Sequence, residues 1–345
     1  MKLLDYINNM KTYVIAEMSG NHGGKIEKAI DIVHAAAEAG ADCLKIQTYT
    51  ADTITINCHT DPFLVKSGLW QNDYLYDLYA KAYTPWEWTM AIKDEVEKCG
   101  MEFLSTPFDF TAVEFLESVG VEYYKIASFE IVDIPLIRKV AETGKPIIIS
   151  CGMASVEEIE EAVDTVKKTG NENLILLKCC SAYPTDYATM NLRTIIDMRE
   201  KFGVPVGLSD HSMGTLTDIA AVALGVPVIE KHICLSREDK TVDGAFSLDK
   251  YEFKQMVTDV RNTELSLGGV IYGPSKDEAQ SYAHRRSLFV VKNIKAGEAF
   301  TAENIRSIRP ACGLHTRYYD ELIGGKKASR DIPFGTPLSW EDVEK

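Results

Sequence analysis

Val204-Pro205-Val206-Gly207-Leu208-Ser209-Asp210-His211, then Thr215 to Leu224 closed by Gly225, then Val228-Ile229-Glu230-Lys231-His232, contains the plan of most of the chain. A short β-rich apolar run passes through polar residues into an amphipathic stretch. A glycine, the residue that best tolerates a left-handed C-cap, then returns the chain to a second β-rich run. That is the βα unit of a parallel sheet. Working outward, the same run appears at Tyr13-Val14-Ile15-Ala16, Cys43-Leu44-Lys45-Ile46, Glu102-Phe103-Leu104-Ser105, Tyr123-Tyr124-Lys125-Ile126, Pro146-Ile147-Ile148-Ile149 and Leu174-Ile175-Leu176-Leu177. Helical patterns lie between them, at Ile26 to Ala39, Trp86 to Cys99, Ala112 to Ser118 and Val156 to Lys168. Eight strand-helix units in about 250 residues predict an α/β fold, a (β/α)8 TIM barrel rather than an open doubly wound sheet.

The barrel is assigned to residues 1–270 and a polar, Gly- and Pro-containing linker to residues 271–284. Residues 285–345 hold short β-like runs such as Ser287 to Val291 and turns at Lys295-Ala296-Gly297 and Pro333-Phe334-Gly335, which predict a small β-rich domain. One segment breaks the short-loop rule. Residues 49–83 form a long stretch carrying Phe63, Trp70, Tyr74, Tyr76, Tyr79 and Tyr83, too aromatic for disorder, and read as a substrate lid or subunit contact.

Composition bounds the function. A net charge of -14 disfavours nucleic acid and anionic membranes as partners. From Ala283 onward eleven Lys and Arg face eight Asp and Glu, so the last segment is mildly basic on an acidic body. The start lacks a signal-peptide pattern and no apolar run reaches the length of a membrane span, so a cytoplasmic address is expected. The eight cysteines show no C-x-x-C spacing and read as reduced packing residues.

In a TIM barrel the chemistry sits where the strands end. Those positions carry Glu17, Lys45, Gln47, Ser105, Thr106, Lys125, Ser128, Ser150, Ser181, Ser209, His211 and His232. Taken singly, each histidine reads as a hydrogen-bonded strand-end residue; together, at consecutive strand ends, they read as a divalent-metal pair with open coordination positions. Lys45 and Lys125 in a barrel mouth require an anion, and phosphate or carboxylate binding is the natural use, with Thr106, Ser128 and Ser150 as extra donors. A Schiff-base role for either lysine is the competing reading. Glu17 suits a general base. Ala16 to Gly24 is not a G-x-G-x-x-G fingerprint, so no dinucleotide site is expected.

The ordered motifs Ala16-Glu17-Met18-Ser19-Gly20-Asn21-His22, Lys45-Ile46-Gln47, Ser105-Thr106-Pro107-Phe108, Lys125-Ile126-Ala127-Ser128, Ser150-Cys151-Gly152-Met153, Gly207-Leu208-Ser209-Asp210-His211 and Glu230-Lys231-His232 span nearly the whole chain. In them the chain resembles the sialic acid synthase family, metal-dependent enzymes that condense phosphoenolpyruvate with an N-acetylated amino-sugar aldehyde. Leu69-Trp70, Leu75-Tyr76-Asp77-Leu78-Tyr79 and Tyr83-Thr84-Pro85-Trp86-Glu87-Trp88 are similar to its pseudaminic acid branch, which uses 2,4-diacetamido-2,4,6-trideoxy-altrose. Residues 285–345 resemble the antifreeze-like (SAF) domain, which in the family crosses to the other subunit of a homodimer.

The resemblance implies that Lys45, Thr106, Lys125, Ser128, Ser150 and Ser209 hold phosphoenolpyruvate. Ser181 stands where the family commonly has asparagine for the same ligand. It implies manganese, or magnesium or cobalt, on His211 and His232, and places Glu17, Glu130, Tyr183 and Asp243 against the sugar or the attacking water. Arg309, in Arg309-Pro310-Ala311-Cys312-Gly313 rather than the commoner Arg-Pro-Gly-x-Gly, would reach an acetamido oxygen across the homodimer. The alternatives are an N-acetylneuraminate or legionaminate synthase, or a non-enzymatic carbohydrate-binding or ice-binding protein suggested by the tail alone.

Overall fold

The computed structural model describes residues 2–8 and 11–345. Among them eight parallel strands close into a barrel: β1 (Tyr13–Glu17), β2 (Cys43–Thr48), β3 (Glu102–Pro107), β4 (Tyr124–Ile126), β5 (Ile147–Ser150), β6 (Leu174–Cys179), β7 (Val206–Asp210) and β8 (Val228–Cys234). Each pairs with the next, and β1 pairs back onto β8. A two-residue β9 (Leu248–Asp249) adds to the end of β8.

The helices in chain order are α1 (Leu3–Asn8), α2 (Ile26–Ala39), α3 (Ala51–Ile54), α4 (Leu75–Ala82), α5 (Thr89–Lys98), α6 (Phe110–Val119), α7 (Ile134–Ala141), α8 (Val156–Lys168), α9 (Thr194–Phe202), α10 (Leu216–Ala223), α11 (Lys250–Leu267), α12 (Ala279–Ala283) and α13 (Tyr319–Ile323). Their boundaries follow local chemistry. Helix α8 opens on a capping box in which Ser155 Oγ accepts from the Glu158 amide at 3.2 Å and Glu158 accepts from the Ser155 amide at 2.7 Å, and it closes on Lys167 and Lys168. Helix α2 stops where Gly40 takes a φ of 87°.

Two apolar sets make the barrel. Val14, Ala16, Leu44, Ile46, Ile147, Ile149, Leu176 and Leu208 face outward and share one core with the helices. Tyr13, Ile15, Cys43, Leu104, Tyr123, Ile148, Ile175, Leu177 and Val228 face inward and fill the barrel's interior. Because side chains alternate along a strand, the next inward positions are two residues on. These are Glu17, Lys45, Thr106, Lys125, Ser150, Cys179 and Glu230, so the apolar plug changes within one layer to a polar floor. Gly207 completes this packing: a Cβ there would lie 2.4 Å from the Val228 carbonyl oxygen and 2.7 Å from Leu177 Cδ2.

Several strands run further than their apolar patterns predict, β2 to Thr48, β3 to Pro107, β6 to Cys179 and β8 to Cys234. Ladder hydrogen bonds join backbones, so they continue through side chains that are polar because they face the mouth. His232 therefore lies within β8, whereas His211 directly follows β7. The Trp86 to Cys99 pattern divides into a short 3-10 turn at Trp86–Trp88 followed by α5. Residues 49–83 carry α3, α4 and a bridge between Leu64 and Tyr74.

The chain divides into two compact units, one ending at Gly268 and the other running from Gly269 to Lys345. The second pairs β10 (Ser287–Val290) antiparallel with β11 (Ile305–Ile308). Its own core is built on Leu288, Val290, Ile294, Phe300, Ile305, Leu322 and Leu338. Among the described residues no helix is long and apolar enough to cross a membrane.

Candidate active site

A cavity of roughly 420 Å³ opens over the polar floor. Register explains its composition. In the β1–β2 and β1–β8 ladders Glu17 is level with both Lys45 and His232, and in the β7–β8 ladder Ser209 is level with Glu230. Glu17 and Lys45 therefore meet across neighbouring strands, while Glu230 meets both lysines across the barrel interior. Lys45 Nζ lies 2.7 Å from Glu17, 3.6 Å from Glu230 and 3.2 Å from Thr106 Oγ1. Lys125 Nζ donates to Ser150 Oγ at 2.7 Å and to the Ile126 carbonyl at 3.1 Å, and lies 3.6 Å from Glu230. Both lysines are almost fully buried.

Such burial is tolerable only because the charges offset one another. Burial lowers the Lys125 pKa, opposed by Glu230 and assisted by Lys45. Lys45 is also desolvated, but Glu17 and Glu230 hold its pKa above the ordinary lysine value. Burial, with the repulsion of Glu230, raises Glu17 despite its lysine partner. Glu230, although buried, is held below the ordinary carboxylate range by Lys125 and Lys45. Burial pushes Glu130 up to about 7 and also raises Asp243.

The opposite wall holds the imidazoles. The rings of His211 and His232 are 5.2 Å apart, centroid to centroid. His211 Nδ1 contacts the Cys180 carbonyl at 3.0 Å, which as a donor from nitrogen fixes a tautomer with a free Nε2 lone pair. His232 is buried, its Nδ1 has no hydrogen-bond partner, and burial above all holds its pKa well below normal. This donor set fits a divalent transition ion, for which neutral imidazole is a common ligand. Elsewhere, His34, Glu95 and Cys99 on and beside α2 and α5 bring ligand-type atoms within 4.8 Å of one another. There the Glu95 carboxylate is already held by His34 at 2.9 Å and Lys98 at 3.1 Å.

Lys45, Lys125, Ser128, Glu130, Ser150, Tyr183, Ser209, His211, His232 and Asp243 all line the cavity. Thr106 reaches it through Lys45, and Glu17 lies buried against the same ammonium. Ser181 is half-buried after β6, its Oγ 3.9 Å from Cys179 Sγ, and is not part of the lining. Arg309 is exposed in the second unit, preceding Pro310.

Residues 49–83 supply a cavity wall through Ile54, Val65, Trp70, Leu75, Leu78 and Tyr79. Trp70 donates its indole N–H to the Val242 carbonyl at 3.0 Å, with its ring 5.4 Å from Tyr183 and 6.2 Å from Phe246. Its polar atom is thus spent on backbone, leaving apolar surface near the ligand space. Asp243 hydrogen-bonds with Ser19 Oγ at 2.5 Å and accepts from the Gly20 amide at 3.2 Å.

Reasoning from the sequence missed Glu230, the anion shared by both lysines, and Ser19 and Phe246 on the walls. Alternation could have found Glu230, which stands two residues before His232 and so on the same face. Ser19 and Phe246 lie in short 3-10 turns, where no periodicity marks a direction.

Known proteins share this architecture. Residues 32–272 match the NeuB family and residues 285–344 the SAF domain. The chain is 44% identical over 342 residues to pseudaminic acid synthase of Campylobacter jejuni strain 81-176, covering 99% of each chain. It is 43% identical over 335 residues to that of Helicobacter pylori, covering 96% of this chain and 98% of the relative. The crystal structure of spore coat polysaccharide biosynthesis protein SpsE from Bacillus subtilis superposes with a TM-score of 0.66 at 31% identity, covering 97% of this chain and 96% of that one. With most of its barrel matched by the family and near full-length relatives above 40% identity, the chain belongs to the NeuB family.

Proposed function

We propose that this chain is a pseudaminic acid synthase, which condenses phosphoenolpyruvate with 2,4-diacetamido-2,4,6-trideoxy-L-altrose to give pseudaminic acid and phosphate. One observation carries the reading: two buried ammonium groups with hydroxyl neighbours share a cavity with a facing pair of imidazoles. The choice of sugar is supported by the two near full-length relatives that carry that name.

In this reading Lys45 and Lys125 bind the phosphate and carboxylate of phosphoenolpyruvate, with Ser128, Ser150 and Ser209, which line the cavity, as hydroxyl donors and Thr106 holding Lys45 in place. Glu230 pairs with both lysines at 3.6 Å, and the substrate oxygens take over part of that pairing. His211 and His232 would hold manganese, magnesium or cobalt, and a cation there supplies Lewis-acid polarisation of the aldehyde. The walls of Trp70, Tyr183 and Phe246 cover the apolar face of a 6-deoxy sugar, while Asp243 orients a hydroxyl. In a homodimer, Arg309 of one subunit meets an acetamido oxygen in the barrel of the other.

With the reactants so fixed, C3 of phosphoenolpyruvate forms a bond to the aldehyde carbon, whose oxygen takes up a proton. Water adds at the electrophilic C2 and gives its proton to Glu130, which lines the cavity with a pKa raised to about 7. The C2 hydroxyl then passes its proton to the departing phosphate as C2=O forms and the C2–O bond to phosphate breaks. Glu17 acts on this step through Lys45, whose charge it sustains.

The test is phosphate release across candidate amino sugars, with and without chelator. Turnover is expected with the diacetamido altrose and is expected to stop on chelation. Faster turnover with N-acetylmannosamine or the legionaminate precursor would move the chain to another branch. No release with any sugar would favour a carbohydrate-binding protein. Oxygen-18 in the bridging position of phosphoenolpyruvate should appear in phosphate; its retention in the sugar acid would refute C–O cleavage.

A further inference from the structure

Behind the two imidazoles lies a second charged cluster that the proposed chemistry leaves unused. Side chains alternate along β7 and β8, so Ser209 and His211 face the cavity with Glu230 and His232 while Asp210 and Lys231 face away, level with each other in the ladder. There Lys231 Nζ is ion-paired with Asp210, lies 3.4 Å from Asp218 of α10, and donates to the Ser212 carbonyl at 2.7 Å. Asp210 in turn accepts from the Ser212 amide at 2.8 Å, from Ser212 Oγ at 2.9 Å and from Thr217 Oγ1 at 2.5 Å. Lys231 is 1% exposed, Asp210 1% and Asp218 0%, deeper than the histidines at 6% and 7%.

A buried Lys231–Asp210 ion pair with a third buried carboxyl, Asp218, whose pKa burial raises to about 8, is a poor source of stability, because an apolar trio of similar volume is commonly as stable or more so. What they provide here is position. His211 sits between Asp210 and Ser212, both held by Lys231, and His232 is the next residue after Lys231 on the paired strand. One ammonium therefore ties together the two backbone segments that carry the imidazoles, and Thr217 and Asp218 anchor them to α10. We infer that Lys231, with Asp210, Asp218 and Thr217, is a positioning device that sets the spacing of His211 and His232 for a divalent cation. This rests on the reading of those histidines as the metal pair.

The test measures Mn2+ affinity of the metal-free protein by electron paramagnetic resonance, together with thermal unfolding. Two variants are compared with wild type. Lys231→Met combined with Asp210→Asn and Asp218→Leu removes every charge while keeping an acceptor for the Ser212 amide. It is expected to unfold no more than a few degrees below wild type yet to bind Mn2+ about 10- to 100-fold more weakly, the range for residues that support metal ligands. Thr217→Val removes one hydroxyl and no charge, and is expected to weaken Mn2+ about fivefold. Wild-type Mn2+ affinity in either variant overturns the inference, including when the other fails to fold. The control His211→Ala with His232→Ala separates the two readings: if it keeps Mn2+ affinity, the histidine assignment fails first.

Discussion

Replacing Lys125 by methionine isolates the anion-binding part of the proposed chemistry. The side chain keeps its length and loses a charge that donates to Ser150 Oγ at 2.7 Å and pairs with Glu230 at 3.6 Å. Glu230 retains Lys45 at 3.6 Å and Ser209 at 3.3 Å, so the barrel is expected to survive with a loss of about 1 to 3 kcal/mol. Binding should suffer more selectively. One charge-assisted hydrogen bond to phosphoenolpyruvate is worth about 1.5 to 3 kcal/mol, which raises its KM about 10- to 150-fold. The assay is steady-state phosphate release with phosphoenolpyruvate varied at saturating sugar. The KM for sugar is expected to move little, because the aromatic wall and Asp243 lie on other loops. The alternative, an amine nucleophile, would instead abolish kcat and leave a borohydride-trapped adduct on wild-type Lys125. A phosphoenolpyruvate KM within threefold of wild type, or such an adduct, would refute the reasoning.

Trp70→Ala should lower the preference for the diacetamido sugar over N-acetylmannosamine about 10-fold in kcat/KM, since it removes apolar wall and leaves the lysines untouched; an unchanged ratio would place selectivity elsewhere. His22 gives a pH dependence of stability. Burial lowers its pKa from 6.5 to about 4, while Gly24 and Thr84 hydrogen-bond with its ring. The unfolded chain binds this proton first, so stability is lost as pH falls below 6.5 and the loss levels off below about 4, at roughly 3 kcal/mol. Urea titrations of wild type and His22→Gln between pH 7.5 and 4 should differ by a slope present only in wild type; parallel curves would contradict the assignment. Asp243→Asn should raise the KM for sugar about 10-fold with phosphoenolpyruvate KM unchanged, because Asp243 contacts Ser19 and Gly20 and neither lysine. Equal changes in both constants would show a general collapse of the mouth.

The repeat of apolar runs and glycine-ended amphipathic stretches was enough to read the barrel, because burial on both faces of a parallel sheet and capping of each helix are local demands that each residue type answers alone. The polar residues at strand ends were legible for the same reason. Lys45, Lys125, His211 and His232 interrupt apolar patterns that have no local cause to stop. Strand lengths were less legible, since backbone ladders continue past the point where side chains turn polar.

What the linear chain alone determined, then, was the fold class and the kinds of groups that gather at the barrel mouth. Only the closed structure decided which of them touch. Glu230 between two lysines, Lys231 between two aspartates and Trp70 against Tyr183 and Phe246 all join residues far apart in sequence. Such pairings depend on strand register and barrel closure, which arise from the summed packing of the whole domain rather than from any one segment.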